Sequence, residues 1–329
     1  MKANWARSRS WIAAAALAAA AFAVPSFAQS VDTFDEGVIP DHWVNGGPDC
    51  TEQIATFQIH HYNENMYILR ETGCVHYEKP FLFMLFGQNE VLLLDTGAGS
   101  NTDHVTGRDP DLRGTVDFVI NQWLRAHNRT SIHLLIVHLH SHPDHIYCDF
   151  QFSGRPDTTL IPPGDPQLLI NFFGFRHWPE DIVQYDLGGR VLDVIATPGH
   201  DPTELAIYDR KTALLLVGDT LYPGRLYINQ PADIYQASVQ RLVDFTATRN
   251  TVHVMGTHIE RKFPYQDYAI FLHDQPVEVP LQFGRSVLLE LLEACKQRDK
   301  NKNIVQKIYR DFTTCSNYPN CNPINTTAP

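Results

Sequence analysis

Positive charge is what this 329-residue chain has least of: 26 Lys and Arg stand against 37 Asp and Glu, a formal net charge of -11. Residues 1–28 carry three of the cations (Lys2, Arg7, Arg9) and no acid, so the rest holds 23 basic against 37 acidic side chains. Nucleic-acid binding is not expected of so acidic a body, because phosphate contacts need clustered Lys and Arg. Long apolar runs are also missing beyond residue 28, and a bilayer span needs about 18 such residues in a row. No membrane span is therefore expected after that point. Intrinsic disorder is excluded by a hydrophobic content of 43% and a charged content of 19%.

What is there begins with an address. Residues 1–28 show a basic start, an apolar stretch from Trp11 to Val24, and Ser26-Phe27-Ala28 with small residues where a signal peptidase reads. This predicts a signal peptide cleaved after Ala28 and an exported protein, periplasmic or secreted. The apolar stretch is too short for a comfortable membrane anchor. Export in turn gives the six cysteines a pairing default. Cys315 and Cys321 suit a small tail loop, and Cys50 suits Cys74. Cys148 and Cys295 are left over, with Cys148 open to three readings: a disulfide, a buried thiol or a metal thiolate.

Residues 29–55 are polar and turn-rich and read as an N-terminal extension. From 56 the chain alternates short aromatic and β-branched runs with turn residues: TFQIHHY, NMYILRE, PFLFMLFG and EVLLLDTG. These read as strands. Residues 115–127 place Val116, Val119, Trp123 and Leu124 on one helical face, and the buried strand 133–139 follows, which predicts a βαβ unit. Strands are expected again at 190–196, 205–209, 213–217 and 252–255, with helices at 233–247, 285–298 and 301–312. One domain over 56–312 is expected, followed by an irregular, disulfide-closed tail at 313–329.

The chemistry concentrates at 138–145, His-Leu-His-Ser-His-Pro-Asp-His. His140, His142, Asp144 and His145 place four metal-ligand side chains in six residues at the end of an apolar strand. Histidines spaced by two point the same way on extended backbone, and such a cluster is costly to desolvate without a partner. Three further ligand types follow later strands: His200 in TPGHD, Asp219 in VGDT and His258 in GTHIE. Loops at strand ends are where open sheets place their sites.

LLLDTGAG (92–99), HLHSHPDH, TPGHD, VGDT and GTHIE, in that order, resemble the metallo-β-lactamase superfamily of dinuclear metallohydrolases over about residues 56–275. The resemblance implies an α/β fold, a four-layer αββα sandwich, here with C-terminal helices. It implies two divalent metal ions, zinc above all, although such sites also take Mn, Fe or Co. One ion would be held by His140, His142 and His200, and the other by Asp144, His145 and His258. Asp219 would bridge the two, and a shared hydroxide would attack the substrate. Asp95 would orient a ligand histidine, its alternative being an ordinary turn residue. Ile146-Tyr147-Cys148 departs from the glycines that often continue the motif in this family, which changes the site wall.

Asp144 is expected to orient the nucleophile, and Tyr222 to donate to a developing oxyanion or else to be a packed aromatic. Asp at 219, where true β-lactamases of the superfamily tend to have Cys or Ser, points away from β-lactams toward an ester or lactone of small size. β-Lactam or thioester hydrolysis is the alternative, and a metal-binding protein without turnover is a rival. Glu, where His142 stands, would have marked the oxidoreductase branch. Residues 172–178, with five aromatic or imidazole rings, read as a lid or as a core cluster. Tyr227 and Tyr235 are candidates for the pocket wall, and Arg225 and Arg261 for holding a substrate carboxylate. Neither oligomeric state nor a protein partner is legible.

Overall fold

Short apolar runs separated by turn residues fold here into two sheets whose central strands are buried on both faces. In a computed structural model, the described residues are 1, 34–44, 46, 50, 55–99, 109–229, 231–300, 305–316 and 321. The expected signal peptide, apart from Met1, and parts of the 29–55 extension lie outside them. A first sheet comprises β1 (Phe57–Asn63), β2 (Met66–Glu71), β3 (Phe81–Phe86), β4 (Glu90–Leu94), β5 (His133–Val137) and β6 (Thr158–Leu160), in that order. Helix α1 (Leu112–Ala126) carries the chain from β4 to the parallel β5, with Leu92 opposite Leu135. The Asp111 side chain caps that helix by accepting from Gly114 N at 2.9 Å.

After β5 come the short α2 (Pro143–Ile146), β6 and α3 (Pro166–Phe173). A second sheet is built from β7 (Ile182–Asp186), β8 (Val191–Ala196), β9 (Leu205–Asp209), β10 (Leu214–Leu216), β12 (His253–Met255) and β15 (Gln282–Phe283). Between these lie β11 (Arg225–Tyr227), α4 (Ala232–Thr246) and the small hairpin of β13 (Arg261–Lys262) and β14 (Gln266–Asp267). Helix α5 (Arg285–Lys300) and strands β16 (Gln306–Ile308) and β17 (Thr313–Cys315) complete the chain.

Period-two alternation explains the layers. Phe83, Leu85, Leu92, Leu94, Leu135 and Val137 of the first sheet share a core with Val194, Ile207, Leu214 and Leu216 of the second. Their neighbours Leu82, Met84, Leu93, Leu134 and Ile136 pack instead on Val116, Ile120 and Trp123 of α1. On the far face of the second sheet, Ile195, Ala206, Leu215 and Val254 pack on Val239 and Leu242 of α4 and Leu288 and Leu291 of α5. Helix, sheet, sheet and helix thus stack as four layers, with the central strands β3, β4, β5 and β9 buried on both sides. No helix among the described residues is long and apolar enough to cross a membrane.

The C-terminal region corrects two expectations. Within 301–312, expected as a helix, residues 306–308 form β16, so α5 is the only C-terminal helix among the described residues. Within the tail expected to be irregular, β17 pairs in parallel with β11, with Arg225 opposite Thr313. Open strand edge and apolar anchoring outweigh the helical spacing: Phe312 is fully buried in the α4–α5 core and stacks on Tyr309 at 4.8 Å. Cys50 is bonded to Cys74 and Cys315 to Cys321, as the spacing suggested. Cys148 and Cys295 are buried free thiols.

Three ties fasten residues 272–278 to the β2–β3 connection. Arg70 makes a two-pronged pair with Glu278, 2.7 Å on each prong. His273 Nδ1 donates to Gly73 O at 2.8 Å, and Lys79 Nζ donates to Leu272 O at 3.1 Å and to Tyr77 O. Burial, followed by the nearby Arg70, lowers the Lys79 ammonium to about 7. Unfolded lysine titrates near 10.4. Between about pH 7 and 10 the unfolded chain therefore holds the extra proton, and stability at this site rises with pH. Urea unfolding of Lys79→Met across that window is expected to show a smaller rise than the parent; identical slopes would place the ammonium in an unstrained setting.

Candidate metal centre

Each candidate ligand follows the end of a strand, on a turn that the local sequence dictates. β5 runs into His138–Ser141 and then α2, whose first residue, Pro143, suits a helix start. This sets Asp144 and His145 on one short turn of helix. His200 follows β8, Asp219 sits on the tight turn 218–220 after β10, and His258 follows β12. Gly256 makes the last approach feasible: a Cβ there would meet Leu221 O at 2.3 Å and Gly218 O at 2.9 Å. The β12 end could not otherwise lie against the Asp219 turn.

The seven side chains converge as two sets of donor atoms: His140, His142 and His200, and Asp144, His145, Asp219 and His258. His142 Nδ1 lies 3.1 Å from His140 Nε2 and 2.9 Å from His200 Nε2. Asp144 Oδ2 is 3.2 Å from both His145 Nε2 and His258 Nε2, which are 3.3 Å apart. Asp219 spans the sets. Its Oδ2 lies 3.5 Å from His200 Nε2 and 3.9 Å from His140 Nε2, and its Oδ1 lies 3.3 Å from His258 Nε2 and 3.7 Å from His145 Nε2.

Hydrogen bonds behind the rings decide which nitrogen points inward. His145 Nδ1 donates to Asp95 Oδ2 at 2.8 Å, His200 Nδ1 to Tyr227 O at 2.8 Å, and His258 Nδ1 to Glu78 O at 3.0 Å. All three acceptors are oxygens without protons, so the Nε2 atoms of the neutral rings present bare lone pairs. Lone pairs and carboxylates crowd together this way only around a cation, and imidazole with carboxylate suits zinc and similar divalent ions. The residues present therefore fit two such ions.

Asp95 does more than hold His145. Its Oδ1 accepts from Leu139 N at 2.6 Å, and its backbone adopts φ 68°, left-handed geometry that Asp tolerates. Next to it, Thr96 N donates to His145 O at 2.7 Å. The DTG turn thus grips the ligand loop at both ends. Other supports went unread in the sequence. Thr257 Oγ1 donates to Asp219 Oδ1, and Asp201 accepts from Ser141 Oγ at 2.8 Å while its Oδ2 lies 3.8 Å from His142 Nε2. Both lie within quoted motifs, GTHIE and TPGHD, where a polar neighbour of a candidate ligand was the available signal. The Glu78 and Tyr227 carbonyls carried none, because a backbone oxygen has no residue-type signature.

Protons do part of a cation's work in the metal-free centre. Burial pushes the Asp219 carboxyl up, but the imidazoles of His258, His145 and His200 outweigh it and hold it below the usual range. Burial likewise opposes the charged forms of Asp144 and His145, yet their mutual attraction drives Asp144 well down and His145 well up. His258, depressed by burial but drawn up more strongly by Asp219 and Asp144, titrates at about 9. Burial keeps His140 and His200 below their ordinary value.

A cavity of about 580 Å³ opens onto His142, Asp144, His200, Asp219 and His258. Tyr222 and Tyr227 line it, but Tyr235 does not, its hydroxyl donating to Thr220 O. The Tyr222 ring stands edge-on to His258 at 5.3 Å, and its hydroxyl donates to Arg225 O. Arg225 and Arg261, expected as carboxylate holders, are instead buried and engaged: Arg225 with Glu260 at 2.9 Å, Arg261 with Asp267 at 2.8 Å and with Thr313 at 2.7 Å. Phe172, Phe173, Phe175 and Trp178 pack with the inter-sheet core and not on the cavity. Cys148 belongs to neither donor set, and burial holds its thiol high.

The family model described as the metallo-beta-lactamase superfamily matches residues 81–258. A hydroxyacylglutathione hydrolase of Chelativorans sp. (strain BNC1) is 28% identical over 113 residues, 33% of this chain and 43% of that protein. One from Brucella anthropi is 30% identical over 107 residues, 32% of this chain and 40% of that protein. The chain thus matches well under half the length of these curated relatives. Among solved structures, a metallo-beta-lactamase from Pontibacter korlensis is 13% identical, with 73% of this chain and 99% of that one covered at a TM-score of 0.44. An archaeal metallo-beta-lactamase superfamily protein from Sulfolobus tokodaii is 14% identical, with 65% and 79% covered at 0.38.

Metal uptake near pH 7.5 is expected to release protons, because His258 titrates at about 9 without metal and must be neutral to ligate. Apparent affinity should climb with pH up to about 9, and calorimetry in buffers of different ionisation enthalpy reads the released protons directly. Asp95→Asn should weaken metal retention by about 10- to 100-fold in a chelator competition, and unchanged retention would make Asp95 a turn residue only.

Proposed function

Because the chain belongs to the metallo-β-lactamase superfamily, we propose that it is an exported hydrolase that uses two divalent ions, zinc foremost, to cleave an ester or lactone. One observation carries the two-ion reading: the two oxygens of Asp219 face different donor sets, 3.5 Å from His200 Nε2 and 3.3 Å from His258 Nε2. When bound, such ions supply Lewis acidity and acidify water. The chain's own groups do the rest. His140, His142 and His200 hold one position, Asp144, His145 and His258 the other, and Asp219 ties them, with Asp95 keeping the His145 ring in line.

Asp144 stays ionised at neutral pH and lines the cavity. We assign it the orientation of the attacking water through a hydrogen bond to its carboxylate. Tyr222 is the proposed donor to the developing oxyanion, for which its hydroxyl exchanges the Arg225 carbonyl for the substrate. Export is supported by the leader-like residues 1–28 and by the Cys50–Cys74 and Cys315–Cys321 bonds, which suit an oxidising compartment. A thioester is the second reading, favoured by the names of the two curated relatives.

A panel of an aryl ester, an aliphatic lactone, a thioester, a phosphodiester and a β-lactam, assayed with the zinc-loaded protein, tests this. Ester or lactone turnover that chelation abolishes and zinc restores is the expected result. A dominant thioester rate selects the second reading, and no chelation-sensitive turnover overturns both. Asp144→Asn should keep much of the metal and lose about 100-fold or more in kcat. Tyr222→Phe should lower kcat on the order of 100-fold with little change in KM; an undiminished kcat would leave Tyr222 as wall.

A further inference from the structure

We propose that the cavity carries a preformed apolar subsite, built by Tyr77, Ile270 and Phe271, which receives the hydrocarbon chain of an uncharged ester or lactone. The substrate is then a long-chain, neutral ester, a refinement that rests on the ester or lactone reading above.

Phe271 is an aromatic residue left 53% exposed, at the lining of the catalytic cavity. Its backbone has φ 67°, a left-handed conformation in which a bulky residue is out of place. Conformations of this kind persist where surroundings over-determine them, and they gather at ligand clamps. Here the surroundings are on view. Lys79 Nζ holds the carbonyl of the very next residue, Leu272, at 3.1 Å, and also holds Tyr77 O. His273 Nδ1 donates to Gly73 O at 2.8 Å, and Arg70 grips Glu278. One side-chain nitrogen therefore ties Tyr77 to the residue after Phe271, and the Tyr77 and Phe271 rings meet edge-to-face at 4.7 Å.

That edge-to-face pair, with Ile270 beside it, forms an apolar surface next to the ligands, held in shape before any substrate arrives. Rigid aromatic surface is an effective anchor because little side-chain freedom remains to be lost on binding. The cavity, about 580 Å³, is of the size that takes a ligand well beyond a two-carbon acyl group. Among the described residues its lining has no Lys or Arg, while Glu78 and Glu260 contribute carboxyl groups. An anionic tail finds no complement there, and a hydrocarbon tail does.

The test uses the zinc-loaded protein and p-nitrophenyl esters from acetate to octanoate. kcat/KM is expected to rise about two- to four-fold per methylene, as burial of each CH₂ allows. Phe271→Asn, chosen because Asn accepts left-handed backbone, should flatten the series. Phe271→Tyr should restore the slope. Octanamide, a neutral chain without a scissile ester, supplies a second readout: it should bind the parent at least ten-fold more tightly than it binds Phe271→Asn by calorimetry. A flat series in an active parent, or a slope that Phe271→Asn and Ile270→Ala both leave intact, overturns the subsite while hydrolysis stands. Octanamide binding that depends on Phe271 without turnover of any ester retains the apolar subsite and overturns the ester reading instead. Equal octanamide binding by parent and variant overturns the subsite.

Discussion

Five imidazole rings and two carboxylates are pressed together at the mouth of this fold, and only positive charge between them makes that arrangement tolerable. Three of the rings have their outer nitrogens tied to oxygen acceptors, so their inner nitrogens are committed to facing one another. Without ions, protons on His145 and His258 offset Asp144 and Asp219. With ions, the same lone pairs become ligands. The rest of the molecule is organised around keeping those atoms within reach of one another despite their mutual cost.

The double sheet provides that constraint. Strands β5, β8, β10 and β12 are buried on both faces, so their ends have little freedom, and the ligand-bearing turns inherit that rigidity. Asp95 joins the end of β4 to the loop after β5, and Thr257 joins the end of β12 to the turn after β10. The segment after His258 is fastened by Arg70 and Lys79, and the Glu78 carbonyl, beside the wall residue Tyr77, also holds the His258 ring, so the cavity wall and the donor set share one support.

Much of this was legible in the residues. Apolar runs marked β2 to β5 and β8 to β10, because strands buried on both sides leave a continuous hydrophobic signature. The seven candidate ligands stood out because His and Asp at strand ends have no packing role to explain them. The failures share a cause. Residues 306–308 and 313–315 became strands because β11 offered an edge, something no local window contains. Arg225 and Arg261 were taken for substrate contacts because sequence proximity says nothing about Glu260, Asp267 or Thr313 waiting beside them.

The sequence by itself carried the strand pattern, the seven candidate donor side chains and the pairings offered for Cys50 and Cys315, whereas the role offered for Asp95 came with the resemblance to a known family. Residue type and spacing suffice for the first group, since strand period and ligand chemistry are local properties. Tertiary structure alone decided which oxygen of Asp219 serves which donor set, which nitrogen of each ring faces inward, and that Phe271, far along the chain from Tyr77, lies against it at the cavity. Those are matters of direction and distance between segments separated by scores of residues, and only the packing of two sheets and their loops sets them.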